Sequence, residues 1–206
     1  MNSNLNSRIF VFDYSFLFLL ATNIITIIFA VVQNWNFQTI LFVYLGQSII
    51  IGFFNFIRIL SLKKFSTENF TINNKPVKPT KGTKIFTAFF FILHYGIFHV
   101  VYFIFLAIFS FFSIESMETK YLFYALGIFF VNHLFSFYYN KEKDNSKNSN
   151  IGKLMFHPYV RIIPMHIIII IGGFLYGFEF YSKTFMVLFL ALKTFTDLIM
   201  HNLGHN

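Results

Sequence analysis

The chain predicts an all-α integral membrane bundle of six transmembrane helices, with both termini on the cytoplasmic side, and three observations carry that prediction. Six segments are each long enough for the roughly 20 apolar residues that one bilayer crossing needs. Of 206 residues, 56% are hydrophobic and 34 are Phe. A domain of this size cannot hide that much apolar surface from water, so lipid must solvate its outside. Finally, the basic residues gather in alternate loops, which sets the orientation.

The first span runs from about Val11 to Val32. It carries Asp13 and no small-residue cleavage site follows it, so it reads as a span rather than a signal peptide. Gln33 to Gln38 is a tight polar turn with Trp35 placed for the membrane interface. The second span, about Thr39 to Leu60, contains Gln47, Asn55 and Arg58. Six lysines and two prolines then make Ser61 to Lys84 a solvated loop. Spans three and four, about Ile85 to Phe112 and Tyr121 to Tyr139, hold His94, His99 and His133. The Asn- and Lys-rich stretch from Asn140 to Lys153 is expected to be mobile in water. Span five, about Met155 to Phe178, includes Arg161, Pro164 and His166, and Pro164 should bend it just before His166. Span six, about Lys183 to Leu203, ends the single domain, residues 1–206.

The loops after spans two and four are basic, whereas those after spans one, three and five carry only Lys120 and Lys183. That asymmetry puts both termini in the cytoplasm. The formal charge of +8 therefore speaks of orientation and contact with membrane lipids, not of nucleic acid. There is no cysteine, which excludes disulfides, iron–sulfur clusters and thiolate metal sites and leaves imidazole and carboxylate as ligands.

Lys193, Asp197 and His201 stand four residues apart and share one helix face. Ionisable groups at such depth normally face the bundle interior and find partners. Counting about 1.5 Å per residue from the inner helix ends puts His133, His166 and Asp197 roughly 7 to 10 Å below the cytoplasmic surface, with His94 slightly deeper and His201 shallower. The expected site is a divalent metal held by His94, His166, Asp197 and His201, zinc favoured over iron or manganese, with His133 as a fifth ligand or proton-transfer group. Histidines that only hydrogen-bond between helices are the competing reading. Lys193 is expected to form an internal ion pair that orients Asp197. Arg161 either binds a lipid phosphate or anionic substrate or reaches to the headgroups. Asn55 and Arg58 line the same vestibule or anchor the interface. His99 lies roughly 140° round the helix from His94 and falls outside the metal site.

GFFN at Gly52 to Asn55, LHYG at Leu93 to Gly96, NHLFSF at Asn132 to Phe137, PYVRI at Pro158 to Ile162 and LKTFTD with His201 together resemble a family of uncharacterised prokaryotic polytopic membrane proteins, a domain of unknown function. The resemblance implies the multi-pass architecture and a prokaryotic cytoplasmic membrane, and supplies no activity. Relatives tend to have a Trp and a Glu-Asn pair in span two, where this chain has Leu45 and Gln47-Ser48.

Two functional classes follow. A membrane-embedded metalloenzyme would use the metal to hydrolyse or oxidise a lipid-like substrate. A transporter of metal ions or protons would use the same polar layer, and only this class needs His99 and the polar residues of span two. A haem protein or a scaffold with a buried polar network completes the alternatives.

Overall fold

The computed structural model describes residues 14–112, 119–146, 148–160, 162, 187 and 190–199. Four helices, α1 (Tyr14–Val32), α2 (Phe37–Ser61), α3 (Lys81–Phe112) and α4 (Thr119–Ser146), are followed by helical stretches at 151–160 and 190–199. All four of the named helices are long and apolar enough to cross a membrane.

Local chemistry fixes the first turn. Asn34 adopts the left-handed conformation at φ 51°, Trp35 N–H donates to Ala30 O at 2.9 Å and Asn34 N–H to Val31 O at 3.4 Å. This is a Schellman stop, with Asn where Gly is usual. The Asn36 side chain then caps α2 by accepting from Thr39 N–H at 2.8 Å, which satisfies an otherwise orphaned donor. Trp35 is buried rather than presented to the lipid boundary, stacked on Tyr121 with centroids 5.7 Å apart.

Helix α2 is the centre of the bundle. It packs on α3 and on α4, while α1 packs on α4. Two glycines permit this closeness: a Cβ at Gly46 would collide with Leu126, and one at Gly52 with the ring of Tyr95. The outward faces of α1, α3 and α4 display Ile24, Ile28, Phe86, Phe103, Ile104 and Phe123. An apolar surface this continuous is stable against lipid tails, not against water.

The lysine-rich end is more structured than a solvated loop. Thr71–Ile72 and Lys75–Pro76 form an antiparallel hairpin, turned by Asn73 and Asn74 at φ 50° and 60°, the pattern of a type I′ turn. Helix α4 continues to Ser146, seven residues beyond the expected end of span four. Ser66 N–H donates to Ser149 O and Ile151 N–H to Ser66 O, both at 3.0 Å, and Asn150 Nδ2 donates to Glu68 O at 2.8 Å. These bonds tie the two basic loops together, so the part of 140–153 that is described is ordered by long-range pairing its polar composition does not reveal.

Candidate functional site

Three polar features lie inside the apolar bundle. The first surrounds Lys193 and Asp197, both buried on helical stretch 190–199. The Lys193 ammonium stands 2.7 Å from Asp197 Oδ2 and donates to Asn23 Oδ1 of α1 at 2.8 Å. Asn23 Nδ2 donates to Leu19 O one turn earlier at 2.9 Å, which leaves Oδ1 facing the ammonium. The ammonium also lies 5.0 Å from the ring centre of Tyr44 on α2 and 4.6 Å from that of Phe129 on α4, within cation–π range. Gln47 Nε2 of α2 donates to Asp197 Oδ2 at 3.3 Å. Lys193 is thus the point where α1, α2, α4 and the last helical stretch meet.

The second feature is on the next residue of α2. His99 Nδ1 is 2.8 Å from Tyr95 O and its Nε2 is 2.9 Å from Ser48 Oγ. A carbonyl only accepts, so Nδ1 carries the proton and a neutral His99 receives the Ser48 hydroxyl hydrogen at Nε2. Tyr95 OH, 2.9 Å from Ser48 Oγ and donating to Ser48 O at 3.1 Å, then shares its single hydrogen between these two oxygens. About 1.5 Å per residue puts Gln47 and Ser48 roughly 16 Å from the start of α2, near the middle of the span.

The third feature is a cavity of about 90 Å³ at the lysine-rich end. Its wall includes Arg58 in the last turn of α2, Asn55, Asn132, His133, Asn140 and His157. Ser15 of α1 donates to Ser136 of α4 at 2.8 Å on one wall. The lining residues Leu19, Ile51 and Asn132 stand three or four residues along their helices from Asn23, Gln47 and Phe129, so the cavity lies roughly 6 Å, one helical turn, from the Lys193 layer.

Set against the expected metal site, His166, His201 and Arg161 lie outside the described residues. Of the others, His94 is exposed on α3, bonded through Nδ1 to Tyr159 OH at 2.8 Å and stacked on Phe90 at 5.5 Å. His133 lines the cavity beside Phe54, one turn along α4 from Phe129, whose ring meets the Lys193 ammonium. Among the described residues no three of His, Asp and Glu gather as metal ligands would. Asp197 is already matched by an ammonium, which a divalent ion would have to displace.

Gln47 and His99 are residues that the transport alternative requires, whereas Asn23 is not among those the sequence singles out. Each is a polar residue in an otherwise apolar span, which is a usable signal. What spacing along a single helix cannot supply is which partner each one meets.

A helical membrane protein with a charged layer buried at mid-bundle is the class that this fold and these residues define. The chain belongs to the Family of unknown function (DUF6498), whose model matches residues 7–206. No curated protein and no solved structure matches it.

Proposed function

We propose that the protein is a six-span membrane transporter, N-in and C-in, that moves protons through the Lys193–Asp197 layer. The observation that carries this reading is the ion pair joined to α1 and α2 with a polar cavity stopping one turn away. A carrier needs an ionisable group at mid-membrane, a route to it from one side and a barrier on the other. Asp197 is the proton-accepting group. When it is neutral, the ammonium keeps Asn23 and two aromatic faces but loses its counter-charge, and the contacts among the four helices loosen. The cavity supplies the cytoplasmic approach. Ser48, His99 and Tyr95 supply exchangeable protons beside Gln47. Zinc at Asp197 would have to displace the ammonium that opposes the carboxylate at 2.7 Å, whereas a proton can add to the carboxylate with Lys193 in place.

Purified protein in liposomes loaded with a pH-sensitive dye tests this. An imposed pH gradient should collapse faster than in empty liposomes, with or without a zinc chelator. Asp197→Asn should abolish the difference and His99→Gln should slow it. Wild-type vesicles indistinguishable from empty ones would sink the proton reading, and loss of flux on chelation would return the metal to it.

A further inference from the structure

His94 belongs neither to the Lys193 layer nor to the Ser48–His99 contact, and its setting points to a ligand of its own. The side chain is exposed on α3, next in the chain to Tyr95, whose hydroxyl meets Ser48 near the middle of α2. Counting about 1.5 Å per residue from Ile85 likewise puts His94 roughly 14 Å into a hydrocarbon core about 30 Å thick. Its outer neighbour at that depth is lipid. Tyr159 OH lies 2.8 Å from His94 Nδ1, and the phenolic hydrogen has no other acceptor among the described residues. The phenol therefore donates, and the neutral imidazole carries its own proton on Nε2. That N–H has no partner among the described residues. A polar donor turned toward hydrocarbon costs free energy until something accepts from it.

We propose that this donor and the rings around it bind the head of a membrane-dissolved quinone, one of whose carbonyl oxygens accepts from His94 Nε2. Phe90 stacks on the imidazole at 5.5 Å and 9°, and Phe98 meets it edge-on at 5.3 Å and 86°. Phe156 stands exposed with its ring 6.1 Å from that of Tyr159. Rings so arranged receive a flat conjugated ligand by offset or edge-to-face contact. Depth decides which carbonyl arrives. The ester groups of phospholipids sit at the polar boundary, about 15 Å from the bilayer centre, whereas a quinone with an apolar tail dissolves in the core. This assignment stands on His94 and its neighbours, whatever crosses the Lys193 layer.

The test is equilibrium dialysis of radiolabelled decylubiquinone against the full chain purified in a maltoside detergent, which has no carbonyl of its own. Saturable binding is expected, weakened about tenfold or more by His94→Leu, which removes the donor. Tyr159→Phe should weaken it as well, because Nδ1 then loses the hydroxyl that fixes the proton on Nε2. This second variant decides the matter if His94→Leu fails to fold. Excess methyl decanoate should leave the quinone bound; equal displacement would make the ligand an ester lipid and overturn the assignment. No saturable binding, or binding unchanged in both variants, would overturn it too. So would a dimer that His94→Leu dissociates while quinone stays unbound, which would put a second copy of the chain on this face.

Discussion

Removing an ammonium or a carboxylate from water costs several kcal/mol per ion, and mutual attraction offsets this only when the remaining donors and acceptors are also met. Around Lys193 they are met from three other helices, by an amide oxygen, a glutamine-held carboxylate and two ring faces. The consequence is asymmetric. Asp197→Ala leaves an uncompensated charge and should destabilise the bundle by about 3–5 kcal/mol. Lys193→Met combined with Asp197→Leu removes both charges and should restore most of that loss while leaving proton flux abolished. Thermal unfolding in detergent, run beside the liposome assay, checks both. A double variant that transports normally would reduce the pair to a packing device.

At the scale of elements, α2 decides the arrangement because it presents different chemistry to each neighbour. Gln47 turns toward Asp197, Ser48 toward His99, and Asn55 donates to Leu154 O at 3.0 Å at the start of the fifth helical stretch. Gly52 is the element-scale control point, since the Tyr95 ring occupies the space a side chain would take. Gly52→Ala should therefore push α3 outward, break the Tyr95–Ser48–His99 relay and cost about 1–3 kcal/mol through overpacking. Amide exchange of α3 should accelerate relative to that of α4. Unchanged exchange in α3 would mean that the ring has somewhere else to go.

For the whole molecule, the absence of cysteine makes single introduced thiols clean reporters of sidedness. In inner-membrane vesicles and intact cells, Glu68→Cys and Asn148→Cys should react with an impermeant maleimide only from the cytoplasmic face, and Asn34→Cys only from the other. A cysteine introduced at Asn206 should follow Glu68→Cys if the span number is even. Opposite labelling of the C-terminal thiol would remove the six-span topology and, with it, the placement of the cavity on the cytoplasmic side.

Helix type and the apolar outer faces of the first four helices were legible in the sequence, because in lipid a backbone must satisfy its own hydrogen bonds and a run of some twenty apolar residues has one outcome. The Lys193–Asp197 pair was legible too, being an i, i+4 relation within one helix. Partnerships between helices were not. Asn23 meets Lys193 across 170 positions and Gln47 meets Asp197 across 150, and no periodicity within either helix encodes the rotation that brings them together. The basic loops show the same division: their charge follows from the residues, but the joining of Ser66 to Ser149 and Ile151 depends on where the helices leave those backbones. Short-range physics fixes what each segment is, and packing geometry, set here by Gly46, Gly52 and the rings against them, determines which polar groups meet.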